Sequence, residues 1–397
     1  MAELNKRERI SRRWASLKTE RSSWDSHWLE ISQSLLPRSG RFLVTDQNKG
    51  GKKHNAIYDS TGTRALRVLA AGMMSGMTSP ARPWFRLTTS DPQLDESFAV
   101  KMWLSDVTRR MSMVFNKSNT YRALHSMYEE LGAFGTASSI VVPDFKTIIH
   151  HHPLTIGEYA LATDARGNVN TIYRESQMTV AQLVAEFGYK QCSNTVQGLH
   201  DRGALDQWVT ETHGIEPRNE CDTRMKDAAN MAWRSCYFEL GGTDGRLLRD
   251  AGFNDFPSLS PRWMTSGGDI YGNSPGMEAL GDIKQLQHEQ LRKAQGIDYK
   301  TKPPMQAPTS LKARDVDMLP GGITFVDAAS PQGGIRSAFE VNIDLSHLLE
   351  DIRDVRERIK GSFYADLFLM LANGENSAMT ATEVAERHEE KLLMLGP

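Results

Sequence analysis

Ser274-Pro275-Gly276-Met277-Glu278 opens the stretch whose reading decides the architecture. Ser274 suits an N-cap and Pro275 a first helical residue, because both fit a helix start whose N–H groups lack intrahelical partners. Met277, Leu280, Ile283, Leu286, Leu291 and Ala294 then recur at mostly three- and four-residue steps, and Lys302-Pro303-Pro304 stops the run. A helix over 274–300 is expected. A second run starts at Asp344, carries Leu345, Leu348, Leu349, Ile352, Val355 and Ile359, and is read as continuing through Gly361 to Leu369. Each spans roughly 25 residues, about 40 Å at 1.5 Å per residue. Two such rods flanking a proline- and glycine-rich insert predict a tall stalk with a small module at its tip. That feature is architectural, not catalytic.

At 397 residues the chain can bury a sizeable core and hold two or three substructures. Its 39% hydrophobic and 24% charged residues are ordinary for a soluble globular protein. Lys+Arg 47 against Asp+Glu 49 leaves a net charge of -2, which excludes a general attraction to nucleic acid. Any DNA contact must be local. The three cysteines, Cys192, Cys221 and Cys236, are odd in number and unevenly spaced. They argue for a reducing compartment and against a disulfide framework or a zinc site. The charged N-terminus has no apolar signal core, and the apolar run Val68 to Ala81 falls short of the roughly 20 residues of a membrane span. No membrane association is expected.

Residues 5–36 read as a long helix with a discontinuous stripe of Trp14, Leu17, Trp24, Trp28, Ile31 and Leu35, ended by Pro37-Arg38-Ser39-Gly40. The basic loop Lys49 to His54 is read as solvated rather than as a phosphate contact. Asp59 or Ser60 caps a helix running to Met77, whose Ala, Gly and Ser content lets another backbone approach closely. Trp84-Phe85-Arg86-Leu87 reads as the start of a strand, its aromatic pair in the core rather than stacked on a base. One helix follows from Asp91-Pro92 to Phe115, and another from Tyr121 to Phe134.

From Ser138 short β runs take over: Ser139–Val142, Ile148–His150, Tyr159–Thr163 and Val169–Arg174, the last two a hairpin about Asp164–Asn168. Thr179 caps a short helix to Phe187, closed by Gly188. Residues 190–230 are polar and weakly periodic, and read as a surface excursion. Trp233–Leu240 and Arg246–Asp250 form a second hairpin.

The chain has no Gly-x-x-x-x-Gly-Lys-Ser/Thr, Gly-x-Ser-x-Gly or His-Glu-x-x-His. His150-His151-His152 is the one candidate metal cluster. Adjacent strand residues point to opposite faces, so at most two could share an ion, and no nearby cysteine or paired carboxylate has ligand spacing. A polar strand end is the preferred reading. Carboxylates such as Glu350-Asp351 and Glu389-Glu390 lie in charge-mixed helical stretches, where Asp354–Arg358 attract and Glu386–Glu390 repel. Solvated helix faces explain them better than acid–base chemistry. A non-enzyme without cofactor or metal is expected.

Gly72-Met73-Met74-Ser75-Gly76-Met77-Thr78-Ser79-Pro80-Ala81-Arg82-Pro83-Trp84-Phe85 resembles the head-to-tail connector, or portal, proteins of short-tailed bacteriophages. So do Arg262-Trp263 with Gly267-Gly268-Asp269-Ile270-Tyr271-Gly272-Asn273-Ser274-Pro275-Gly276, and Met379-Thr380-Ala381-Thr382-Glu383-Val384 with Arg387 and Leu395-Gly396-Pro397. The three lie in the family's order and are spread over most of the chain. The resemblance implies an α+β, mainly helical portal architecture. Residues 1–270 would form a wing, helical to about 135 and β-rich over about 136–260. Residues 274–300 and 344–369 would form a two-helix stem, 303–341 a small α/β clip, 371–378 a tunnel loop and 379–397 the start of the post-tunnel wing helix. Family members continue past the position of Gly396-Pro397 into a C-terminal crown, which is expected to be missing here.

The resemblance further implies a homo-oligomeric ring, usually of twelve subunits, at one vertex of a virion assembled in the host cytoplasm. Double-stranded DNA would pass its channel without sequence specificity. Partners would be the terminase large subunit, tail adaptor proteins, and the major capsid and scaffolding proteins. Asp315, Leu319, Ile323, Phe325 and Val326 are the clip candidates, where short strands of neighbouring subunits would pair edge to edge. Asn373, Gly374, Glu375, Asn376 and Ser377 are the tunnel candidates, able to touch phosphate without reading sequence. Lys284, Arg292, Lys293 and Lys300 are candidates for channel or clip-side charge, with intersubunit salt bridges an equal alternative. Leu286, Leu291, Leu348, Ile352, Val355 and Ile359 are the stem-packing set. The near-neutral charge suits a channel, since each phosphate neutralised by a bound cation adds salt-dependent affinity. Two other readings remain open: a metal-dependent DNA-processing enzyme at His150–His152, and a monomeric adaptor whose long helices dock a partner.

Overall fold

The discontinuous N-terminal stripe turns out to serve two cores. Helix α1 (Lys6–Ser34) lays Ile10, Trp14 and Leu17 on a β-sheet and Trp28 and Ile31 in a helical core. The computed structural model describes residues 6–42, 51, 53, 56–218, 221–222, 224–225, 227–241, 245–302, 305–306, 336–337 and 346–372. The helical core is built on α2 (Thr61–Met77), which buries Leu66, Leu69 and Met73. Ser60 is its N-cap residue, and the preceding Asp59 satisfies the first helical N–H, its Oδ1 accepting from Thr61 N at 2.8 Å.

The stretch from Asp91 forms two helices rather than one. An extended Ser97 (φ −65°, ψ 127°) separates α3 (Pro92–Glu96) from α4 (Phe98–Lys117). Trp84–Leu87 is not a strand either. Trp84 and Phe85 are half-buried against Phe115 at ring distances of 5.9 and 5.7 Å, and Trp84 Nε1 donates to Tyr121 Oη at 3.1 Å. That cluster fastens α4 to α5 (Thr120–Phe134).

Strands β1 (Ser138–Asp144) and β2 (Ile148–Leu154) pair as a hairpin, extended by β8 (Ser258–Leu259) into a sheet of order β2-β1-β8. A second, antiparallel sheet has the order β3-β4-β5-β6-β7. Its strands are β3 (Tyr159–Thr163), β4 (Val169–Thr179), β5 (Trp208–Pro217), β6 (Trp233–Glu239) and β7 (Arg249–Phe253). The predicted surface excursion therefore contains the central strand. Hydropathy hid β5 because it buries Glu211, Thr212 and His213. The same excursion holds α7 (Asn194–Asp201), packed with α6 (Val180–Phe187), whose Thr179–Gln182 capping box and Gly188 terminus fall where the sequence placed them. Gly214 faces Tyr173 across the β4–β5 ladder. A Cβ there would overlap the Tyr173 ring, which stacks on Trp14 at 6.0 Å.

The chain leaves the sheets through a backbone crossing. Gly135 ends α5 at φ +75°, and Gly272 lies so close that a Cβ on either would overlap the other's carbonyl oxygen. Trp263 N donates to Gly135 O at 2.8 Å, and Gly272 N to Thr136 Oγ1 at 2.9 Å. From there α8 (Pro275–Glu278) and α9 (Leu280–Thr301) make the first rod. The short pair β9 (Met305–Gln306) and β10 (Arg336–Ser337) follows, then α10 (Ser346–Ser362) and α11 (Ala365–Ala372). The second rod is not continuous to Leu369, because Tyr364 takes φ +54° and breaks it. Buried Phe363 and the Phe368 ring, which fills the space a Cβ at Gly72 would need, seat α11 on α2. At Gly72 the close approach is made by a ring rather than by another backbone, while Gly132 lets α5 approach Leu66 and Leu69 of α2. Helices and sheets coexist as an α+β fold, and no helix of the described residues is long and apolar enough to cross a membrane.

Candidate channel-lining stem

Ser274 starts the stem by capping in both directions: its Oγ accepts from Met277 N at 3.1 Å and donates to Ala133 O at 2.8 Å. Along α9 the buried stripe runs Leu280, Ile283, Leu286, Glu289 and Gly296. On α10 it runs Ile352, Val355 and Ile359. Of the predicted packing set, Leu286, Ile352, Val355 and Ile359 are buried, whereas Leu291 and Leu348 are half-buried. Leu349, read as part of the stripe, is instead exposed, as are Ile297 and Tyr299 on α9.

The four predicted cations do not converge. Lys284 Nζ lies 2.5 Å from Glu30 Oε2, so it ties the stem to α1 and holds the Glu30 carboxyl below its ordinary value. Arg292 Nη1 donates to Gln295 Oε1 at 3.2 Å. Arg292 and Lys300 are exposed and Lys293 half-buried. Among the described residues, none of these three has an ion-pair partner. Lys293 and Lys300 are seven residues apart and share one helix face. The tunnel candidates Asn373–Ser377 and the clip candidates Asp315, Leu319, Ile323, Phe325 and Val326 lie outside the described residues.

Sequence reasoning missed the clamp that joins three elements. Asp59 Oδ2 accepts from Arg356 Nη2 at 2.6 Å, Arg356 Nε at 3.1 Å and Gln290 Nε2 at 3.1 Å. Gln287 accepts from Tyr58 N and Asp59 N and donates to Asp59 O. Burial alone would raise the Asp59 carboxyl, but the hydrogen bonds from Thr61 and Arg356 outweigh it and hold the group below its usual range. Arg358 adds a contact of 3.2 Å to Asp282. No local pattern announces an ion pair between residues 59 and 356. Glu289 had a local signal, a carboxylate in phase with the apolar stripe. Burial pushes its carboxyl up, Gln285 opposes this with a 2.7 Å hydrogen bond, and the Asp351 carboxyl adds to the rise.

The histidine triplet lies on β2 with its faces alternating. His151 is buried, its Nε2 3.1 Å from Thr120 Oγ1, while Asn119 pairs with its backbone at 2.8 and 2.9 Å. The His150 and His152 rings meet at 4.7 Å. Among the described residues no group of three His, Cys, Asp or Glu side chains is placed to hold a metal ion.

Comparison with known proteins matches the chain to one family. The family described as "Bacteriophage head to tail connecting protein" matches residues 7–397. The chain is 69% identical over 397 residues to the probable portal protein of Bordetella phage BPP-1, covering 100% of this chain and 72% of that protein. It is 48% identical over 398 residues to the portal protein of Salmonella phage epsilon15, covering 100% of this chain and 71% of that one. Among solved structures, a chain from the virion of a native gene transfer agent particle aligns at a TM-score of 0.38 and 10% identity, covering 88% of this chain and 78% of that chain. The chain belongs to the bacteriophage head-to-tail connecting protein family.

Proposed function

We propose that the protein is the portal subunit of a tailed phage. Copies form a ring, of about twelve chains as is usual in the family, set at one capsid vertex. Double-stranded DNA passes the central channel, driven in by the terminase and released toward the tail adaptors. The observation that carries this reading is the identity to phage portal proteins over the whole chain, at 69% and 48%. The wing is residues 1–270. The stem is 274–300 with 344–369, and the clip is the 303–341 insert. The β9–β10 pairing supports an excursion that returns to its own root, since Gln306 and Arg336 are register partners. Residues 371–378 are the tunnel loop, and Lys293 and Lys300 supply charge along one face of the rod. The role of the protein is mechanical and structural rather than catalytic.

Negative-stain electron microscopy with native mass measurement tests the assembly. Rings with a central hole and a mass of about twelve chains are expected; a stable monomer both for residues 1–397 and for a longer version of the protein would sink the proposal. Deleting 371–378 should leave rings intact but impair DNA packaging or retention. Loss of assembly instead would contradict the tunnel assignment.

A further inference from the structure

Phe145 stands at the tip of the β1–β2 turn and is fully exposed, at 112%. The tip is nonetheless held in shape. Asp144 Oδ2 accepts from Lys146 N at 3.0 Å and Thr147 N at 2.7 Å, and Thr147 Oγ1 lies 2.8 Å away. Ile148 follows at φ +72°, a conformation that β-branched residues rarely adopt, and it too is exposed. A fixed turn that presents a bare phenyl ring to water is a feature to be explained by a partner, because single-chain folding gains nothing from it.

A groove of matching character lies elsewhere on the same chain. Between the 83–87 segment and α4 is a cavity of about 590 Å³, floored by Pro83, Phe85, Leu87 and Leu104 and bordered by Asp95 and Lys101. The adjoining turns leave Phe98, Met102 and Trp103 exposed. The tip reads acidic, aromatic, basic (Asp144, Phe145, Lys146), and beside its apolar floor the groove sets one carboxylate, Asp95, and three cations, Arg86, Lys101 and Arg109, the last paired with Asp106. Among the described residues, Lys146, Lys101 and Asp95 have no ion-pair partner.

We infer that Phe145 of one copy seats in the α4 groove of the next, with Lys146 beside Asp95 and Asp144 beside Lys101. The two patches differ, so the contact is head-to-tail. Repeating it closes a ring where the rotation permits, whereas a reciprocal exchange of tip and groove between two copies would stop at a dimer and give no ladder above it. The inference rests on the ring proposed above and names the surface that joins neighbouring wings.

The test combines microscopy with cross-linking. In a Cys221→Ser background, Phe145→Cys and Ser105→Cys (Ser105 lines the groove) are made singly and together, and treated with a short bis-maleimide. The double variant is expected to give a ladder extending above dimer on a denaturing gel, and the mixed single variants a dimer. Each single variant alone should stay monomeric on the gel. Phe145→Asp should lower the fraction of chains in rings by about tenfold or more, with unchanged circular dichroism and melting temperature, whereas Phe145→Leu should retain rings. Intact rings that give no ladder, or rings of Phe145→Asp at the parent yield, overturn the contact and leave the ring standing. A parent protein that forms no rings overturns both.

Discussion

Ile352, Val355 and Ile359 of α10 and Glu211, Thr212 and His213 of β5 are all shielded from water, the first three in an apolar cluster and the second three in a polar one. On β5, His213 Nε2 lies 2.9 Å from Ser235 Oγ, and its ring stacks on Tyr237 at 3.8 Å and 8°. Ser176 Oγ donates to Glu211 at 2.7 Å. Thr212 Oγ1, His213 Nδ1 and Glu211 Oε2 have no partner among the described residues. The α10 stripe is thus held by non-directional burial, which accepts many shapes but no unpaired charge. The sheet is held by its ladders, which keep β5 in the centre without an apolar stripe, and by a few directional pairs.

The largest effect that would break this contrast is at the stem. Ile359→Asp buries an unpaired charge and should destabilise by several kcal/mol. Denaturant melts differing by less than about 1 kcal/mol would show that face is not buried.

Next in size is a pH effect in the helical core. Glu130 on α5 binds Thr155 Oγ1 at 2.7 Å and Ile156 N at 3.1 Å, and burial pushes its carboxyl up from 4.5 to about 7. Its folded value is raised, so its contribution is fully present below pH 4.5 and is lost as pH rises through about 7. The total is about 3 kcal/mol, at 1.36 kcal/mol per unit. Glu130→Gln should flatten the stability profile between these values, and an unchanged slope would remove Glu130 as its cause. His213 works in the opposite sense. Burial, then Arg174, Arg249 and His152, hold it well below 6.5, so its contribution is present above pH 6.5 and is lost on acidification. Amide exchange in β5 should therefore accelerate below pH 6.5 relative to that in α5, and equal acceleration of both would count against it.

Smaller effects sharpen the comparison. Gly72→Ala must displace the Phe368 ring and should cost about 1–3 kcal/mol, whereas Gly361→Ala, with open space around it, should gain up to about 1 kcal/mol. Equal melting shifts for the two would show that α11 does not seat on α2 as described. Smallest is Thr212→Val, which removes a buried hydroxyl without a partner and should change stability by less than about 1 kcal/mol. A loss of about 3 kcal/mol or more there would mean the polar pairs, not the ladder, hold the centre of the sheet.

The same contrast explains which parts of the chain were legible. The first stem rod, the hairpins and the Thr179 cap follow from periodicity and local backbone chemistry, and the sequence placed them within a few residues, whereas the second rod was read past its break at Tyr364. β5 was illegible because a strand buried with polar side chains has neither alternation nor an apolar run. Trp84–Leu87 carries strand-like residues, yet it packs on α4 without a ladder, and nothing nearby in sequence reveals that choice. Asp59 and Arg356 meet through the fold alone. The clip and tunnel candidates fall outside the described residues, so their assignment rests on the family resemblance, whereas the packing of the stem rests on geometry.

The crossing of Gly135 and Gly272 sets the direction in which the stem starts. Its root is held where two backbones touch with no side chain between them, Lys284, Gln287 and Gln290 tie it along its length, and its far end is Thr301. With α9 about 33 Å long at 1.5 Å per residue, a tilt of about 2° at the root moves that end by about 1 Å. A methyl group wedged into the crossing would re-aim the rod more than it would weaken it. In the ring proposed above, identical aim of every rod would set the bore of the channel, and this one joint would set that aim.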